Sequence, residues 1–326
     1  MIGLLVFKER LKAFYARYNF YLNPALKFFY ALAVFLLLNR QLGFLEKLNG
    51  PMFPLILGCL CAFLPLSATS FIAAVYMLAH LSGLSMELAV ITGIFVVIAM
   101  ILYGALQPGD SYLMVLTPVL FFLRIPYVVP LVVGLSCGIF SAIPMCFGIF
   151  LYYLLVYAKQ NAGVLAGTAA TDIAQKYGQV LKSIFSNDRM ILMVLAFALT
   201  VVVVFLIRNR SMAYAWTVAI AAGMVVELAV IFIGDSKLNV NLSIGSVALG
   251  ALVSVLLAFV VQFFLFAVDY SRTEFLQYED DDYYYYVKAV PKMYVAVKEK
   301  QVKTFNAKGT KRMTRKQLPE HKNRNR

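Results

Sequence analysis

Long apolar runs alternate with short polar links over most of the chain, and most of the runs have the length of a bilayer crossing. A helix needs ~20 predominantly apolar residues to traverse a ~30 Å hydrocarbon core. Such runs lie at 25–42, 52–80, 86–106, 111–124, 126–157, 190–207, 212–233 and 244–268, about eight in all. The pattern predicts an all-α, polytopic integral membrane protein. The fourth run is too short to cross as a straight helix, so it is read as a half-helix or as re-entrant with the start of the fifth. Non-helical backbone at that depth is tolerated only where protein or a water-filled cavity covers it.

Two of the runs are interrupted. The stretch 126–158 has 33 residues and no charge, yet it carries Pro126, Pro130, Gly134, Gly138, Pro144 and Gly148. Pro removes a backbone donor and Gly loosens a helix, so Pro130, Gly134 and Pro144 are read as helix breakers. An earlier stretch has the same pattern: Pro54, Leu55 and Gly58 followed by Ser67 and Ala68 match Pro130, Leu131 and Gly134 followed by Ser141 and Ala142. Pro54 and Gly58 are the corresponding breakers. With eight crossings the second and fifth spans enter from opposite sides, which suggests an inverted repeat. Interrupted helices at matching places of inverted repeats mark the midplane sites of carriers.

Composition agrees with the class. Hydrophobic residues make up 62% and charged residues 14%, and the mean hydropathy is +0.80, far from a soluble balance. The formal charge of +13 is concentrated at one end, since 300–326 contains ten Lys or Arg against the single acidic Glu320. Cys59, Cys61, Cys137 and Cys146 lie within apolar runs without metal-site spacing and are read as buried thiols. No metal and no cofactor are expected.

The first residues do not read as a cleavable signal, because charge is mixed with the apolar positions. Leu4, Phe7, Leu11, Phe14, Tyr18 and Leu22 recur at helical spacing while Lys8, Lys12 and Arg17 point elsewhere. This predicts an interfacial amphipathic helix over 1–22 on an anionic leaflet, followed by a transmembrane domain over 23–268. Basic residues near both ends place both termini in the cytoplasm, which eight crossings satisfy. The link 208–211 then lies inside, and 107–110, 158–189 and 234–243 lie outside. The segment 158–189 carries Lys159, Lys176, Lys182 and Arg189 and an amphipathic face of Ile173, Tyr177, Val180, Leu181, Ile184 and Phe185. If it is cytoplasmic instead, span four does not cross.

Beyond 268 the chain turns polar. An acidic run ends at Asp282 and is followed by Tyr283, Tyr284, Tyr285, Tyr286 and Val287, a β-prone strand or hairpin able to add to a partner's sheet edge. The remainder of this cytoplasmic tail, 269–326, is basic and expected to be mostly disordered, attracting anionic lipid rather than nucleic acid. Its segments 269–274 and 278–292 resemble the tails of uncharacterised multi-span membrane proteins of Gram-positive bacteria. The resemblance implies a bacterial plasma membrane and attaches no activity.

Few constellations carry chemistry. Gly134, Ser136 and Gly138 fit G-x-S-x-G, but the only intramembrane base candidate is His80 at the far end of another span, and an intramembrane hydrolase is disfavoured. Glu227 lies inside the seventh span, about a turn and a half from its outer end, a candidate protonation site or cation ligand, or a partner for Arg124, Lys237 or a hydroxyl cluster. Ser67, Thr69 and Ser70 at the first break, with Ser136 and Ser141 at the second, are candidate substrate contacts. Gln262 is read as interhelical glue, and Ser246, Gly250 and Ser254 as a close-packing seam. No phosphate loop, zinc-protease or dinucleotide motif occurs. The leading expectation is a transporter or permease subunit, not an enzyme, with its site where the two broken spans meet. The competing one is a scaffold or accessory subunit of an envelope-assembly, secretion or ATP-driven complex, recruiting a protein partner through 270–326.

Overall fold

The structure is a computed structural model that describes residues 2–165, 173–210, 212, 214–240, 242–265, 274–279 and 284–289. Six of its helices are long and apolar enough to cross a membrane: α1 (Ile2–Leu42), α4 (Met86–Leu106), α7 (Ala142–Gln160), α10 (Asp188–Arg208), α11 (Ala215–Leu238) and α12 (Ile244–Leu265). Four shorter apolar helices lie between them: α2 (Met52–Ala62), α3 (Leu66–Ser82), α5 (Leu113–Phe122) and α6 (Val128–Ser136). Two more, α8 (Ala162–Leu165) and α9 (Ile173–Phe185), connect α7 to α10.

The interrupted spans fold back on themselves. In α2, Gly58 packs on Leu32 of α1, and farther along the Leu64 carbonyl accepts from Lys27 Nζ at 3.0 Å, so α2 runs antiparallel to α1. After Pro65, α3 returns along α1: its Tyr76 hydroxyl donates to Asn39 at 3.1 Å and its His80 accepts from the Leu45 amide. The region 52–80 is thus a helical hairpin, not one kinked span. The second interrupted region behaves alike. Tyr112, just before α5, lies 3.8 Å (Oη to Sγ) from Cys137 at the end of α6, so α5 and α6 are antiparallel. Gly148 of α7 packs on Thr117 and Met114, and Tyr152 packs on Phe121, so α7 runs with α5.

The Pro and Gly positions have a different role from the expected one. Pro54, Pro130 and Pro144 are each the third residue of their helix. Proline is tolerated there because first-turn N–H groups have no intrahelical acceptor. Gly58 and Gly134 lie inside continuous helices and give room for close packing; a Cβ on Gly134 would stand 2.7 Å from Val204. The actual breaks are at 63–65 and 137–141.

α2 and α6 begin 76 residues apart, and so do α3 and α7, so the two hairpins occupy matching places in the sequence. They are not inverted. Both breaks meet the same turn, because Ser70 Oγ donates to the Ser111 carbonyl at 3.2 Å and Ser141 Oγ donates to Asp110 Oδ2 at 2.5 Å. α2 and α6 therefore both run toward this end of the bundle, the turn end. The ten apolar helices therefore alternate in direction, six of them long enough to cross a membrane, and the turn at 107–112 moves to the opposite end from that expected.

The remaining helices complete the bundle. The Arg208 guanidinium at the close of α10 bonds the Leu135 and Cys137 carbonyls, which places it at the turn end. Lys8 Nζ donates to the Phe263 carbonyl at 2.6 Å, so the start of α1 and the end of α12 share one end of the bundle. Lys8 is buried there rather than pointing away with Lys12. A non-helical residue, Tyr18, kinks α1, and Leu4, Phe7, Leu11, Phe14 and Tyr18 are exposed along with the polar Lys12 and Arg17 between them. Val180 and Ile184 of α9 are buried, and Phe185 packs on Phe95 of α4 and Phe150 of α7. Antiparallel strands β1 (Glu274–Glu279) and β2 (Tyr284–Ala289) form a hairpin of their own. The expectations for 266–273, 280–283 and 290–326 lie outside the described residues.

Candidate functional site at the tip of a re-entrant hairpin

α5 and α6 are too short to cross a bilayer, with 10 and 9 residues at ~1.5 Å each. They rise from the turn end, reverse over 123–127 and return. The depth of the reversal is fixed by α10: Phe121 before it and Tyr127 after it both pack on Phe197, near the middle of that helix. The tip therefore sits at mid-height. Hydrogen bonds from Ile125 N to the Leu120 carbonyl and from Arg124 N to the Phe121 carbonyl, both 3.0 Å, close α5 in a Schellman motif, with Pro126 preventing continuation. The left-handed position of that motif normally takes glycine; here it is Arg124, at φ 62°. Arg124 is exposed.

Glu227 is at the same height. The eight-span outline put it near the end of its span, but α11 continues to Leu238, which makes Glu227 its midpoint. Its side chain is fully buried, and neither carboxyl oxygen has a hydrogen-bond partner among the described residues. Tyr127 is within electrostatic reach. One turn earlier, Gly223 lets α11 approach Val204, Leu131 and Thr200. The bond from Gln262 Nε2 to Thr217 Oγ1, 3.1 Å, sets α12 against α11. By helical rise this brings Ser254 to within roughly 3 Å of the height of Glu227. Ser254 is also fully buried with an unpartnered hydroxyl, and Gly250 beside it packs on the Tyr127 ring. A bare carboxylate without partners is unstable in an apolar interior, so Glu227 must hold a proton or a cation.

The hydroxyls singled out in the sequence lie elsewhere. Ser70 and Ser141 are buried on either side of the 107–112 turn, Thr69 is buried beside Ser70, and Ser67 and Ser136 are exposed. Ser136 donates to the Val132 carbonyl of its own helix. The two breaks do meet, but at the turn end rather than at mid-height. Ser136 and His80 are at opposite ends of the bundle. Sequence reasoning missed Asp110, which it assigned to an outside loop, and Tyr127 and Thr200 as neighbours of one height; Arg124, weighed as a partner for Glu227, makes no ion pair with it among the described residues. The only local signal was the Arg-Ile-Pro step at 124–126, where a charge sits directly before a helix-stopping proline.

Among the described residues no group of His, Cys, Asp and Glu could hold a metal ion. The chain is a multi-pass α-helical membrane protein. Comparison with family models, curated proteins and solved structures finds no match for it.

Proposed function

We propose that the protein is a membrane carrier, a transporter or permease subunit, whose working site is the tip of the α5–α6 hairpin together with Glu227. The supporting observation is the unpartnered Glu227 carboxyl at the midpoint of α11, beside a backbone reversal at the same height. An intramembrane carboxyl that exchanges a proton or a cation is the ordinary means by which a carrier couples one solute to another. Dicyclohexylcarbodiimide modifies protonated carboxyls in apolar surroundings, and it supplies the test. In native membranes Glu227 should be labelled, as read by peptide mass spectrometry, and sodium ions or alkaline pH should suppress the labelling. A Glu227 that stays unmodified under all conditions would contradict the carrier reading.

A second reading, the scaffold or accessory subunit, is favoured by one observation: Tyr284, Tyr285, Tyr286 and Val287 of β2 are all exposed. Such a strand suits a protein partner that adds to its edge. A mild-detergent pull-down with and without 270–326 tests it, and a partner recovered only with the tail would support it. The basic residues near the start of α1 and in 208–210 support a cytoplasmic turn end, and the tail resemblance supports a bacterial plasma membrane. Reporter fusions after 110 and 265, both expected to report a cytoplasmic position, check the orientation.

A further inference from the structure

We propose that Arg124 is the anion-recognition residue of an aqueous pocket reaching mid-height of the bundle, and that the solute bound there is a small oxyanion, a carboxylate or phosphate. The inference rests on the carrier reading for its meaning but not for its test.

Three observations carry it. Arg124 is at mid-height, because the residues flanking the tip both pack on Phe197 in the middle of α10. It is exposed, and no hydrogen bond or ion pair joins its guanidinium to any described residue; its electrostatic neighbour is Tyr152. Its backbone is left-handed at a position where glycine would be free of strain. A guanidinium facing hydrocarbon at that depth is costly, and intramembrane arginines face water or a counter-charge. From mid-height of a ~30 Å core the side chain is too short to bring its charge to the headgroups. The surface around Arg124 is therefore wet, and its missing partner is an anion. Arginine suits an oxyanion because its planar fork matches two oxygens at once. Glu227, within electrostatic reach of Tyr127, is then placed to carry the proton or cation that moves with the anion.

Leu123 is exposed next to Arg124 and provides a reporter. In the full chain in native membranes, Leu123→Cys is treated with an anionic and a cationic methanethiosulfonate, and modification of the peptide carrying position 123 is read by mass spectrometry. After normalisation to a free thiol, the anionic reagent should react about tenfold faster. That preference should vanish in L123C/R124Q and persist in L123C/R124K, and millimolar phosphate or succinate should slow the reaction only where the positive charge remains. No reaction with either reagent would show a lipid- or protein-covered surface and overturn the proposal, as would equal rates for the two reagents. Carbodiimide labelling of Glu227 is independent of this readout, so a wet, anion-selective tip beside an unreactive Glu227 would remove the carrier reading while leaving the anion pocket standing.

Discussion

Gly148 lies against Thr117 so closely that a Cβ on it would stand 2.7 Å from the Thr117 Cβ and 2.9 Å from the Met114 carbonyl oxygen. This contact seats the re-entrant hairpin on a full crossing, and a carbonyl of α5 cannot move aside cheaply. Gly148→Ala should cost about 1–3 kcal/mol by overpacking, seen as a lower thermal midpoint in detergent. Gly104→Ala, where nothing lies within 4 Å, should instead hold or gain stability through helix propensity. Equal behaviour of the two variants would contradict the seating of α5 on α7.

Glu227 should be dispensable for folding. Its oxygens have no hydrogen-bond partners among the described residues, so Glu227→Leu exchanges a poorly solvated carboxyl for an apolar group of comparable size. Thermal stability should be unchanged or higher while carbodiimide labelling and any coupled transport disappear. Such a gain in stability with loss of function is characteristic of a working site. A loss of folded protein would instead make Glu227 a structural group.

Arg124→Gly should show the same divergence for a different reason. Glycine relieves the left-handed backbone, a change on the order of 1 kcal/mol, while removing the charge. The thermal midpoint should rise slightly and the preference for the anionic thiol reagent should be lost. A lower midpoint would mean that the side chain holds the tip together.

Ser67 and Ser141 should part company. Ser141 is buried and bonds Asp110 at 2.5 Å, so Ser141→Ala leaves a carboxylate short of a donor and should cost about 1–3 kcal/mol. Ser67 is exposed, and Ser67→Ala should leave stability within about 0.5 kcal/mol. Thermal unfolding followed by size-exclusion chromatography separates the two outcomes.

Much of this molecule was legible in its sequence. Apolar run length alone establishes a multi-pass helical membrane protein, because the bilayer imposes one requirement on every crossing segment. The matching Pro54 and Pro130 patterns reveal two related interruptions, Glu227 stands out as a carboxylate inside a span, and Gln262 was readable as an interhelical bond. What the prolines do was not legible locally. Pro in the first turn starts a helix and Pro further on breaks one, and the difference depends on where the preceding chain reverses.

The tertiary structure decided direction and height. Two hairpins replace two kinked spans, and this makes the repeat parallel, moves Asp110 to the end shared with Ser70 and Ser141, and sets the tip of α5 and α6 at mid-height. The physical reason is that hydropathy reports whether a residue leaves water but carries no information about which way a short helix runs. Direction comes from contacts between residues distant in sequence, such as Phe121 and Tyr127 on Phe197 or Ser70 on Ser111. Those contacts bring Arg124 and Tyr127 to the height of Glu227, from two places in the chain that no spacing rule connects.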